Sequence, residues 1–132
     1  MTNVIIVAFT IWLECANQSF SGKAHAATVI HNTAVRYKLS PQACCLKRGW
    51  FSSWNADDPR SKDELMKSVV AEGQPWKDCL ALAMEVCGTN FHPLSNANHF
   101  WKVGTHPYWE KYCVDVYRVE DHLFGFEPGY GE

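Results

Sequence analysis

The hydrophobic pattern of the chain is densest at its start. From Val4 to Gln18 the residues are apolar almost without interruption, and the only charge in the stretch is Glu14. A helix that is apolar on every face predicts an element enclosed by the rest of the protein. After the turn Ser19-Phe20-Ser21-Gly22, the segment Lys23 to Tyr37 repeats small or apolar residues at helical spacing: Ala24, Ala27, Thr28, His31, Ala34 and Val35. Its many alanines predict close approach to a neighbouring helix, and His31 falls on the packed stripe. Ser40-Pro41 reads as an N-cap and first helical position, opening a short helix to Cys45 or Leu46. Ser61-Lys62-Asp63-Glu64 is a capping box ahead of Leu65, Met66, Val69 and Val70, which predicts a helix ending near Gly73. Pro75 opens a further helix to Cys87, with Leu80, Ala83, Met84 and Cys87 on one face, stopped by Gly88.

Beyond Gly88 the pattern changes. Asn90 to Val103 mixes His, Asn and aromatic residues between breakers, and Pro107-Tyr108-Trp109 predicts a short helix to about Cys113. Val114 to Val119 alternates as a strand does. The Gly-rich end, residues 127–132, reads as a frayed tail. The sum is an α+β, mostly α, single domain over 1–132 with a small β element near the C-terminus.

Composition narrows the function classes. An apolar share of 47% and an aromatic share of 14% argue for a packed core and against disorder. A net charge of -2 provides no field to draw in nucleic acid or an anionic membrane. The N-terminal run lacks a basic leader and a clean cleavage site, so no signal peptide is recognised. It is also too short to cross a bilayer, and no stable membrane insertion is expected. The six cysteines permit disulfides, but without an export signal free buried thiols are the expectation.

The candidate chemistry begins with Glu14. An ionised carboxylate beside so much hydrocarbon is costly, so its proton should be held more tightly than in water. A carboxyl group protonated near neutral pH can serve as a general acid. Trp50-Phe51-Ser52-Ser53-Trp54-Asn55 offers flat rings interleaved with hydroxyls, the chemistry of a sugar-binding wall. No H-E-x-x-H, C-x-x-C, P-loop or G-x-G-x-x-G occurs, so neither metal nor nucleotide cofactor is expected.

Several blocks then resemble a known family. Trp12-Leu13-Glu14-Cys15-Ala16-Asn17, Ser21-Gly22-Lys23-Ala24 and Val29-Ile30-His31-Asn32-Thr33-Ala34 look like the opening of SleB-type cell wall hydrolases. These are the spore-cortex-lytic enzymes and their bacteriophage relatives. Phe51-Ser52-Ser53-Trp54-Asn55, Ala97-Asn98-His99-Phe100, Pro107-Tyr108-Trp109 and His122-Leu123-Phe124 are similar to later blocks of that family, in the same order. The likeness spans about Ile11 to Phe124. Asn17 and Thr33 stand where the family has Arg, Trp50 where it has Gln, and Asp121 where it has Gly. These departures bear on substrate detail more than on the reaction, because Glu14 is kept.

The resemblance implies a compact lysozyme-like or lytic-transglycosylase-like fold that cleaves peptidoglycan glycan strands, as a transglycosylase or a muramidase. Glu14 would be the catalytic acid/base. Ser52, Trp54, Asn98, His99, Phe100 and Tyr108 would contact sugar, with Trp109 beside them and His122 as a further contact or an anchor. It also implies no cofactor, a monomer, and a phage endolysin made in the host cytoplasm that reaches the wall after release. Two other classes compete: an N-acetylmuramoyl-L-alanine amidase, which would need zinc, and a glycan-binding module without activity.

Overall fold

A computed structural model describes residues 2–47, 51 and 73–130. The predicted capping-box helix, Ser52 and Trp54 lie outside the described residues. Among the described residues the protein is α+β and mostly helical, with a three-stranded sheet near the C-terminus. The helices are α1 (Asn3–Cys15), α2 (Phe20–Tyr37), α3 (Pro41–Leu46) and α4 (Gln74–Cys87). The strands are β1 (His99–Lys102), β2 (Val114–Val119) and β3 (His122–Phe126), with a 3-10 turn at Glu110–Tyr112 before β2.

α1 is the hub. Val7, Ala8, Phe9, Thr10 and Ile11 are all buried in succession. Five consecutive residues cover more than a full helical turn, so α1 has no solvent face there. α2, α3 and α4 surround it. Thr10, polar at the centre of this run, donates its hydroxyl to the Ile6 carbonyl at 2.8 Å and so remains satisfied. α2 faces the core with Ala26, Ala27, Ile30 and Ala34. Ser19 caps its first turn by accepting from the Gly22 N–H at 3.2 Å.

The face of α4 differs from the expected one. Trp76, Cys79, Leu82, Ala83 and Val86 are buried, whereas Met84 is 65% exposed. The helix is rotated by about one position from the predicted stripe, because Trp76 and Val86 fill the core where Met84 was expected. Val35, expected on the packed stripe of α2, is exposed as well. The short helix expected over Pro107–Cys113 contracts to the single 3-10 turn.

The sheet has the order β1-β3-β2 with both pairings antiparallel. Val114 pairs with Phe126 and Tyr117 with Phe124, so Asp115 and Val116 oppose Gly125 alone in a bulge. Asp115 sits within the bulge at a positive φ of 55°. A second, smaller core of Val29, Ala97 and Phe124 joins the sheet to α2. The β2–β3 turn ties the sheet to the end of α1. The Glu120 carboxylate accepts from the Ser19 N–H and hydroxyl, placing an anion at the start of α2. The Gln18 side chain accepts from the Asp121 N–H at 3.3 Å.

The tail expected to fray from residue 127 is held through Tyr130. The Glu127 N–H donates to Asn98 Oδ1 at 2.8 Å, and Asn98 Nδ2 donates back to the Glu127 carbonyl at 3.1 Å. The Tyr130 ring packs against Tyr37 and His99, with centroids 5.6 and 4.3 Å away. Two hydrogen bonds from one buried amide offset the flexibility of the Pro-Gly sequence.

Candidate functional site

Glu14 sits in the last turn of α1, half-buried, directly before the fully buried Cys15. It lines a cleft of about 440 Å³. From the sheet side the cleft is lined by Asn98, His99 and Phe100, and from the following loop by Tyr108 and Trp109. Val29 and Thr33 of α2, Phe51 and Tyr130 complete it. The structure therefore brings Glu14 together with four of the residues expected to contact sugar: Asn98, His99, Phe100 and Tyr108.

His122 is placed elsewhere. It stands on β3, pairs across the ladder with Lys102, and packs edge-on against Phe100 at 5.7 Å. It is not among the described residues lining the cleft. Its ring touches Phe100, itself a lining residue of the cleft.

The aromatic wall is built of rings in mutual contact. The His99 ring lies on Trp109 at 4.1 Å with planes 15° apart, and Trp109 meets Trp101 edge-on at 5.3 Å. His99 Nε2 contacts Glu127 Oε1 at 2.8 Å. Burial lowers the His99 pKa, and the Glu127 carboxylate opposes that shift. Asn98 has its amide on the Glu127 backbone, so it shapes the cleft wall while pinning the tail. Tyr108 is 83% exposed at the rim, a large flat side chain presented to solvent.

Glu14 is the only carboxylate among the described residues lining the cleft. Among the described residues no three His, Cys, Asp or Glu side chains gather where they could share a metal ion. His99 is bound up with Glu127, and the exposed His106 reaches Glu110 at 3.1 Å. No disulfide links the cysteines. Burial pushes the thiols of Cys44, Cys45 and Cys79 up to about 12 and that of Cys15 further upward, which leaves them inert as nucleophiles.

Sequence reasoning missed Thr33, Val29, Tyr130 and the supporting Glu127. Thr33 and Val29 lie off the expected packed stripe of α2 and entered the reading only through the block that resembles the hydrolase family. Tyr130 and Glu127 belong to a tail whose composition reads as disorder. No helix among the described residues is long and apolar enough to cross a membrane. No family model matches the chain, and no curated protein and no solved structure matches it either.

Proposed function

We propose that the protein cleaves the glycan strand of peptidoglycan, using Glu14 as a single acid/base, in the manner of a lytic transglycosylase on a lysozyme-like scaffold. The observation that carries this reading is the meeting of Glu14 with Asn98, His99, Phe100, Tyr108 and Trp109 in one open cleft. A polysaccharide needs an elongated trough, flat rings for pyranose faces, and amide or hydroxyl groups for its acetamides. The likeness of the Glu14, Asn98–Phe100 and Tyr108–Trp109 blocks to SleB-type hydrolases points the same way.

In this mechanism Glu14 protonates the oxygen joining N-acetylmuramic acid to N-acetylglucosamine. The muramic 6-hydroxyl attacks its own C1 as that bond breaks, and Glu14 takes up the hydroxyl proton. The products are a 1,6-anhydromuramic end and a free N-acetylglucosamine 4-hydroxyl. One carboxylate suffices. A two-carboxylate hydrolase would need a partner at roughly 5–10 Å across the bond, and the described lining offers none.

Glu14→Gln, nearly isosteric, tests the reading. Clearing of sacculi should fall by roughly 10²- to 10⁴-fold while sacculus binding persists. Mass spectrometry of the wild-type products should show anhydromuramic ends. Unchanged clearing by Glu14→Gln would refute a role for Glu14. Binding without any cleavage by the wild type would leave the glycan-binding alternative standing.

A further inference from the structure

Among the described residues three threonines are buried, each on a helix: Thr10 of α1, and Thr28 and Thr33 of α2. A hydroxyl shut away from water needs a partner, and within a helix the carbonyl one turn back is the nearest. Thr10 donates to the Ile6 carbonyl at 2.8 Å, and Thr28 to the Ala24 carbonyl at 3.0 Å. Thr33 does not follow them. It is only 4% exposed, yet its hydroxyl makes no hydrogen bond among the described residues. It is also the one of the three that lines the Glu14 cleft. The polar groups on the other walls are already engaged. The Asn98 amide bonds the Glu127 backbone through both its oxygen and its nitrogen, and His99 Nε2 contacts Glu127 Oε1.

Val29 stands one turn before Thr33, lines the same cleft and is likewise 4% exposed. This strip of α2 therefore offers methyl groups beside a single hydroxyl. An acetamide matches that pair, because its carbonyl oxygen accepts one hydrogen bond and its methyl group needs an apolar seat. A plain sugar hydroxyl can take the hydrogen bond but leaves the seat empty. Thr33 stands where the resembling hydrolases carry Arg, so the likeness lends it no part in binding. We propose that Thr33, rather than Asn98 or His99, is the residue through which the cleft selects its sugar: its hydroxyl donates to the carbonyl of a 2-acetamido group, and its methyl group with Val29 seats the acetamide methyl. Asn98 and His99 instead hold the tail that completes the wall. The proposal rests on the reading of the Glu14 cleft as a glycan site.

The test pairs a calorimetric titration with a thermal melt, on the wild type and on the nearly isosteric Thr33→Val. The probes are tri-N-acetylchitotriose and cellotriose, neutral trisaccharides that differ in carrying an acetamide or a hydroxyl at C2. The wild type should bind the acetylated probe more tightly. Thr33→Val should weaken that binding by roughly three- to tenfold and leave cellotriose affinity within about twofold, so the preference collapses. Thr33→Ser, which keeps the hydroxyl, should fall between. The melt separates recognition from structure. Removing a buried hydroxyl that has no partner inside the protein should leave the melting midpoint of Thr33→Val no lower than that of the wild type. Acetylated-probe binding unchanged in Thr33→Val, equal loss on both probes, a lowered midpoint with no loss of preference, or no saturable binding by the wild type would each overturn the proposal. The titration reads binding and does not depend on cleavage. A Thr33-dependent preference alongside full clearing by Glu14→Gln would sink the glycan-cleavage reading alone; Glu14-dependent clearing with a preference indifferent to Thr33→Val would sink the Thr33 assignment alone.

Discussion

Asn98→Ala removes one buried amide and with it both hydrogen bonds to the Glu127 backbone, 2.8 Å to its N–H and 3.1 Å to its carbonyl. Each backbone group orphaned away from water costs roughly 1–3 kcal/mol. Glu127 is only half-buried, so water relieves part of that loss, and a net destabilisation of about 2 kcal/mol is expected. For a domain of this length that corresponds to a fall of roughly 6–10 °C in the melting midpoint. The damage should be local before it is global. Once the clamp opens, the contact between the Glu127 carboxylate and His99 Nε2 should loosen, and Tyr130 is left to its packing against Tyr37 and His99. The assay is a thermal or urea melt paired with hydrogen exchange at the Glu127 amide. Asn96→Ala, two residues away and exposed, serves as control and should stay within about 0.5 kcal/mol of wild type. If Asn98→Ala melts like that control and the Glu127 amide stays protected, the tail is held by something other than this clamp and the reasoning fails.

Two further outcomes follow from burial. Native protein treated with a thiol reagent at about pH 8 should leave Cys15, Cys44, Cys45 and Cys79 unlabelled, since burial holds those thiols protonated. All six should react in denaturant without reductant; fast native labelling of any of the four, or fewer than six on unfolding, contradicts the structure. Burial also lowers the pKa of His25, His31, His99 and His122 below the ordinary 6.5. The unfolded chain then binds protons more readily than the folded one, so this contribution to stability is complete above 6.5 and declines as pH falls through it. Melting midpoints taken from about pH 7.5 to about pH 5.5 should fall, and a flat or rising trend would refute the assignment.

The helices were legible because periodicity and caps coincide in them. Ser40 and Pro41 mark a start that the structure keeps, whereas α2 begins at Phe20, capped by Ser19, inside the stretch expected to be a turn ahead of Lys23. The face of α4 was not legible, for a reason visible in its composition. Trp76, Cys79, Leu80, Leu82, Ala83, Met84, Val86 and Cys87 are dense enough to support two overlapping stripes. Only packing against α1 and α2 decides that Trp76 and Val86 go inward and Met84 outward. β1 was hidden differently. A four-residue strand carries little pattern, and His99–Lys102 becomes a strand only by pairing with residues of β3 twenty or more positions later. The tail shows the opposite error. Pro128 and Gly129 advertise disorder, yet the side chain of Asn98, distant in sequence, supplies the bonds that order it.

Glu14 stood out because a lone charge in an apolar run is conspicuous, but the run does more than advertise it. A helix advances about 100° per residue, so adjacent residues face very different surroundings. Cys15 is fully buried while Glu14, one step back, is half-buried and lines the cleft. The orientation of the carboxylate is therefore inherited from the packing of Val7 to Ile11, which leaves α1 no freedom to rotate in its socket. α2 is fixed against the same helix and carries Val29 and Thr33 to the cleft. The cleft is thus positioned by one buried helix pair, and the tail clamped by Asn98 lines it through Tyr130. The polar groups of the site are few and scattered along the sequence; the apolar core that aims them is contiguous, which is why the core could be read in advance and the walls of the site only in part.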